Sequence, residues 1–220
     1  MRYTQLINFK EIGEKGQKSL SEKTVTLVGL GNIGSTAAVM LVRSGINLRI
    51  IDKGRCEVED LAGQCLYIED DSTKFKAKQA KKRLEEINPG VKVRTFHEDL
   101  NKNNLYLLDA DVVIDATGER SVSEMISDYT KKKKIPLIYA LASGSEGLIL
   151  TSDKGINFAK VQKMIDKMKP VAEAGLINPT THMAAAIIVK KAMKIILKRP
   201  YHKDAVTFNI WTDSVKRQKI

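Results

Sequence analysis

The chain has 220 residues, enough to bury one substantial core and too few for two domains of typical size, so a single domain is expected. Its formal charge is +11 and only 5% of its residues are aromatic; the lysines are scattered rather than interleaved with arginine or aromatics, which argues against nucleic acid as a partner. No apolar run is long enough for a bilayer and Met1–Gln5 has no signal-peptide character, so a soluble, cytoplasmic protein with no membrane partner is expected.

In chain order, residues 3–20 place Leu6, Ile7, Phe9, Ile12 and Leu20 among polar residues, the pattern of one or two short helices on a sheet edge. Val25–Val28 then reads as a strand that breaks into Gly29, Gly31 and Gly34 and opens a helix through Asn32 and Ile33. In such a turn Gly29 permits the bend, Gly31 lets backbone approach a ligand, and Gly34 lets helix and strand pack closely. The amides that start the helix carry partial positive charge and suit a phosphate. Ala37, Met40 and Leu41 continue the helical spacing, and Gly45 stops it. A second strand, about 47–52, ends on Asp52, a carboxylate at the distance beyond the glycines where ribose hydroxyls are bound.

The polar stretch Lys53–Ser72 is too long for an ordinary connection and is expected to be functional, with short helix of its own. Thr73–Ile87 carries Ala77, Ala80, Leu84 and Ile87 on one face, an amphipathic helix closed by Asn88-Pro89-Gly90. Strands expected at 91–96, 111–115 and 135–140 alternate with helical patterns at 102–108 and 119–131, which implies right-handed crossovers and a mainly parallel sheet. Lys131–Lys134 fits a solvated helix end whose charge suits the C-terminal dipole. Beyond Ala140, segments at 147–151, 156–158, 205–210 and 213–219 read as antiparallel strands appended to the sheet. Between them Met183–Leu197 is apolar on nearly every face and is expected to be buried, under the sheet or against a second subunit. The fold class is therefore α/β, a Rossmann-like, mainly parallel sheet with helices on both faces and antiparallel strands at its C-terminal end. Cys56 and Cys65 form neither a zinc set nor a redox CxxC and are read as structural thiols. His97, His182 and His202 stand beside no evident nucleophile.

These motifs, in this order, resemble the ThiF/MoeB/HesA family, the bacterial and archaeal relatives of ubiquitin-activating enzymes. The resemblance runs from Arg2-Tyr3-Thr4 and Glu11–Gln17, through Val28–Ser35, Asp52 and Val58–Gln64, to Lys76, Ile87-Asn88-Pro89 and Asp115-Ala116-Thr117. It resumes late in the chain at Ala172–Leu176 and Asn178-Pro179. It implies a homodimer that uses ATP and Mg2+ to adenylate a carboxylate, either a small-molecule acid or the C-terminus of a small acidic, ubiquitin-like carrier protein, with release of pyrophosphate. By the same resemblance Gly29, Gly31, Asn32, Ile33 and Gly34 line the phosphates, Asp52 holds the ribose, and Gln64 and Thr117 support the nucleotide. Lys76 is then the lysine that neutralises phosphate charge.

Several positions depart from the family pattern. Gln5, Gly63 and Ser123 stand where the family has arginines, Asp60 where it has asparagine, Gly118 where it has the magnesium aspartate, and Val171 where many relatives have cysteine. Two lost arginines would remove on the order of 3–6 kcal/mol of phosphate stabilisation. That is a slowing of roughly a hundred- to ten-thousandfold unless other groups substitute. Arg55, Lys74 and Arg120 are the candidate substitute cations in the same loops, with Arg55 and Arg120 joining Lys76 as catalytic candidates; Asp60, Asp115 or Glu119 could reach a metal, and Asp115 is the candidate magnesium ligand. No zinc site is expected. A silent nucleotide-binding sensor or scaffold, and less so a nicotinamide-dependent oxidoreductase, are the alternative readings.

Overall fold

The computed structural model describes residues 2–219. Two short helices, α1 (Thr4–Asn8) and α2 (Gly13–Glu22), precede strand β1 (Thr24–Val28), helix α3 (Asn32–Arg43) and strand β2 (Asn47–Ile51). After the long connection come α4 (Lys76–Ile87), β3 (Val93–Phe96), β4 (Val112–Asp115), α5 (Arg120–Lys133), β5 (Leu137–Ser143) and β6 (Glu146–Ser152). Helices α6 (Phe158–Ile165), α7 (Val171–Ala174) and α8 (Asn178–Ile196) and strands β7 (Ala205–Asn209) and β8 (Ser214–Gln218) complete the chain.

The eight strands form one sheet in the order β3-β2-β1-β4-β5-β6-β7-β8. The first five are parallel: Val25 sits between Leu48 of β2 and Val112 of β4, and Val113 pairs with Leu137 of β5. The last three are antiparallel, beginning with a tight reversal in which Ser143 pairs with Glu146 around Gly144 at φ 56°. Strand residues alternate between two cores. Val25, Leu27, Val112 and Ile114 pack with Leu20, α3, Leu84 and α8, whereas Val28, Val113, Leu137 and Leu148 pack with Val122 and Ile126 of α5 and Phe158 and Val161 of α6. Burial on both faces is why these parallel strands read as continuous apolar runs. Among the described residues no helix is long and apolar enough to cross a membrane.

Two local expectations are revised. The strand expected at 156–158 is absent: Ile156 is held between the hydroxyl of Ser127 on both its amide and its carbonyl, and Phe158 opens α6. Asn157 caps that helix through the Lys160 amide, and Phe158, Val161 and Ile165 have helical rather than alternating spacing. The pattern at 102–108 contracts to a 3-10 turn, Leu105–Leu108, and the last helix begins at Asn178, five residues before its apolar stretch, with Pro179 in its first turn. Lys131, Lys132 and Lys133 do occupy the last turn of α5, closed by Lys134 in a left-handed conformation. The only tryptophan, Trp211, sits at the tip of the β7–β8 reversal with 79% of its surface exposed.

Lys191 of α8 is 4% exposed and donates from Nζ to the His202 carbonyl at 2.9 Å. Burial, then the neighbouring charges of Lys190 and Arg217, push its pKa down from 10.5 to about 8. Between those values the unfolded chain binds more protons than the folded one, so this residue's contribution to stability rises with pH, by about 3 kcal/mol across the window. Allowing about 1 kcal/mol for the lost hydrogen bond, Lys191→Met is expected to raise the melting temperature at pH 7 by roughly 4–8 °C. Thermal melts from pH 7 to 10.5 should show the gain fading as pH rises; a constant difference would refute the burial argument.

Candidate functional site

A cleft of about 260 Å³ opens at the carboxyl ends of β1, β2, β3 and β4. It lies where the strand order turns from β1 toward β2 on one side and β4 on the other, the place at which open α/β sheets bind ligands. It is lined by Gly29, Gly31, Ala116 and Thr117, by the apolar Leu100 and Val122, and by the charged Lys53, Glu98, Asp99 and Glu119. Asp52, Gly54 and Lys76 lie along its side.

The glycines have separate reasons. Gly29 takes φ 90°, and a Cβ there would meet the Ala116 carbonyl oxygen at 2.7 Å, because the β1 turn crosses the end of β4. Gly34 packs so closely on the turn that a Cβ would lie 1.9 Å from the Gly29 carbonyl oxygen. At Gly31 a Cβ would meet nothing within 4 Å, so this glycine leaves open space in front of α3. The first amides of that helix, Asn32, Ile33 and Gly34 among them, have no acceptor within the helix and offer an anion site.

Asp52 is fixed by backbone: Oδ2 accepts the Leu30 amide at 2.6 Å and Oδ1 the Gly54 amide at 2.7 Å. The acid is therefore aimed before any ligand arrives, and each oxygen keeps further acceptor capacity. Lys76, the first residue of α4, reaches the cleft with its stem while its Nζ rests 2.8 Å from Asp60 Oδ2. The same carboxylate accepts the Glu57 amide at 3.0 Å and Gln64 Nε2 at 2.5 Å. Gln64 is buried, and its Oε1 has no hydrogen-bond partner; the Tyr67 hydroxyl, on the same connection, is in the same condition. The connection contains 3-10 turns at Val58–Ala62 and Glu69–Asp71 and is pinned by Arg83 to Asp71 and by Asn178 to the Ala62 carbonyl.

Asp115 lies beneath the cleft, fully buried. Its Oδ1 accepts the Thr117 hydroxyl at 2.7 Å and amide at 3.0 Å, while Oδ2 and the nearby Ser123 hydroxyl, both buried, lack a partner. Burial pushes its carboxyl above the ordinary range, against the opposing pull of the Thr117 amide and hydroxyl. Arg55 does not line the cleft: it stacks 3.9 Å over the Phe75 ring and donates to the Thr73 carbonyl. Arg120 also points elsewhere, onto Glu124, Gln162 and the Phe158 ring. Of the residues that depart from the family pattern, Gly118 adopts φ 68° with open space around it, and Gly63 sits against the Asn32 side chain.

Sequence reasoning missed Lys53, Glu98, Asp99, Leu100 and Val122. Lys53 spans the cleft mouth, 3.1 Å from Asp99 and 3.7 Å from Glu119. The available signal was position alone, just past the ends of β2, β3 and β4. Cys56 is buried, and burial raises its thiol to about 11, so no thiolate forms near neutrality; Cys65 is exposed. His97 stacks on Phe75, and His182 lies inside α8 with Nδ1 2.9 Å from the Asn178 carbonyl oxygen.

The model of the ThiF family matches residues 3–220. The chain is 31% identical over 220 residues to the sulfur carrier protein ThiS adenylyltransferase of Bacillus subtilis, an alignment covering 96% of this chain and 65% of that protein. It thus spans about two thirds of that relative's length. With the molybdopterin-synthase adenylyltransferase of Haemophilus influenzae it shares 26% identity over 205 residues, 90% of this chain and 84% of the other. Among solved structures, PaaA superposes with a TM-score of 0.83 at 26% identity, over all of this chain and 72% of PaaA. E. coli MccB, solved with ATP, gives a TM-score of 0.83 at 21% identity over 100% of this chain and 71% of MccB, a likeness of fold.

Proposed function

The chain belongs to the ThiF family, and from that premise we propose that it is an ATP-dependent adenylyltransferase acting on a carboxylate. The observation that carries this reading is the meeting, in one cleft at the sheet's switch point, of the glycine turn, the Asp52 carboxylate and the Lys76 side chain. In the reaction an acceptor carboxylate oxygen attacks the α-phosphorus of ATP. The bond from that phosphorus to the oxygen it shares with the β-phosphate breaks, and pyrophosphate leaves with the electron pair. An acyl adenylate remains, and no proton is transferred. Such a reaction asks the protein for in-line placement and positive charge rather than covalent chemistry.

The first amides of α3 and the Lys76 ammonium supply that charge, Asp52 receives the ribose hydroxyls, and Leu100 and Val122 face the base. Thr117 and Gln64 support the turn and the connection that frame the nucleotide. Magnesium, when bound with the nucleotide, neutralises charge on phosphate oxygens. The acceptor is a small-molecule acid or the tail of a small acidic carrier protein, either of which suits a chain of net charge +11. A homodimer belongs to the same reading, supported by apolar surface left open at Phe9, Val171 and Ile177.

A second reading, a silent nucleotide binder, is favoured by one observation: Lys76 is already engaged by Asp60, and Gly63 and Gly118 bring no side chain to the phosphates. Exchange of labelled pyrophosphate into ATP separates the two. The adenylyltransferase should catalyse exchange that depends on an added carboxylate. Tight ATP binding with no exchange across a broad panel of acids and carrier tails would favour the silent binder, and no binding of adenine nucleotides would remove both.

A further inference from the structure

Asp60 puts a carboxylate directly under the cleft lysine, 2.8 Å from Nζ and about 20% exposed. At rest the two charges cancel. A polyphosphate entering the cleft draws Lys76 toward itself and would leave Asp60 as an uncompensated anion beside an incoming polyanion, an arrangement that needs another cation. The structure has acceptor oxygen beside it. Gln64 spends its amide nitrogen on Asp60, so its Oε1, buried and without a donor, is the acceptor end of the same amide. The Tyr67 hydroxyl, also buried and unpartnered, belongs to the same neighbourhood: burial, then the charges of Asp52 and, after Cys56, Asp60 hold its proton on. Carboxylate and amide oxygens are the donors a hard divalent cation takes, with phosphate and water oxygens completing the shell. The other carboxylates are placed differently: Asp115 has no exposed surface, Asp52 is held by the Leu30 and Gly54 amides, and in the turn after Asp115 Gly118 brings no side chain while Glu119 lies 3.7 Å from Lys53.

We infer that Asp60, with Gln64 Oε1, is the protein's seat for the divalent cation that accompanies the nucleotide, and that the cation takes the place of the Lys76 ammonium. One exchange thereby fills the metal position and frees the lysine for phosphate. The inference rests on the nucleotide reading above and relocates the metal carboxylate from the β4–α5 turn to the connection after β2.

The test is Mn2+ binding followed by the electron paramagnetic resonance of free Mn2+, with and without α,β-methylene-ATP. Wild type with the analogue should bind Mn2+ at least about tenfold more tightly than the analogue alone. Asp60→Asn should return the affinity to that of the free analogue and should bind the analogue nearly as well in EDTA as in Mn2+, whereas Asp70→Asn, on the exposed outer part of the same connection, should behave as wild type. Lys76→Met gives the opposite sign without nucleotide: with the ammonium gone, Mn2+ should bind the free protein several-fold more tightly, a measurement that stands even if Asp60→Asn does not fold. Unchanged Mn2+ affinity in Asp60→Asn, or no gain in Lys76→Met, would overturn the assignment while leaving the nucleotide site intact. Failure of the analogue to bind wild type under any condition would instead overturn the nucleotide reading, and this inference with it.

Discussion

Alanine at Gly34 is expected to lower the melting temperature by roughly 6–12 °C, the consequence of about 3 kcal/mol or more of overpacking in a chain of this size. The added methyl would sit 1.9 Å from the Gly29 carbonyl oxygen. The obstacle is backbone rather than the end of a side chain, so nothing can swing aside. Gly29 is itself closely packed on backbone: a Cβ there would stand 2.7 Å from the Ala116 carbonyl oxygen and 3.0 Å from the Thr117 nitrogen. Relief therefore requires α3 to lift from β1, which opens the core around Ala37, Ala38 and Leu41. Gly31→Ala is the contrasting variant. Its methyl meets nothing within 4 Å, so the melting temperature should hold while nucleotide affinity falls. Differential scanning calorimetry of the pair decides the matter; equal melting temperatures would refute the close-approach argument.

The largest functional loss is expected from Lys76→Met, which should slow pyrophosphate exchange by roughly a hundred- to a thousandfold, the range seen when one charge-stabilising donor is removed from a reacting centre. Of the two lysines that line the cleft, Lys53 is drawn to Asp99 and Glu119, while Lys76 leans on Asp52's own turn: a Cβ at Gly54 would stand 3.1 Å from Asp52 Oδ1 and 3.5 Å from Lys76 Cδ. Arg55 and Arg120 are committed to aromatic faces and to partners outside the cleft, so neither can take over without leaving them. Lys76→Arg should restore charge but only part of the rate, since a planar guanidinium does not place its charge as a compact ammonium does. Steady-state exchange kinetics that left kcat within threefold of wild type in Lys76→Met would remove this lysine from the mechanism.

Much of the fold was legible because parallel strands buried on both faces leave long apolar runs separated by amphipathic helices, and the run from Val25 to Val28 is read without help from any neighbour. The misreading at 156–158 shows the limit. Three residues cannot distinguish period two from the first turn of a helix, and what settles the segment is Ser127, remote in sequence, gripping Ile156 from both sides. The glycine turn and the acid that meet in the cleft were readable in sequence, since a close backbone crossing and a carboxylate at a strand end impose residue types. The charged edge of the cleft was not. Lys53 and Asp99 are ordinary surface residues in sequence, and they join Glu119 in a group only when the sheet gathers the ends of β2, β3 and β4. Arg55 and Arg120 show a different limit: proximity in sequence to a motif does not say that their resting partners are Phe75 and Thr73, and Glu124 and Phe158.

Trp211 has an optical consequence. Because the chain's single indole sits in water at a hairpin tip, away from both cores, its emission starts red-shifted and has little further to move when the protein unfolds. The same position makes it a native reporter of whatever covers that tip, free of any attached dye.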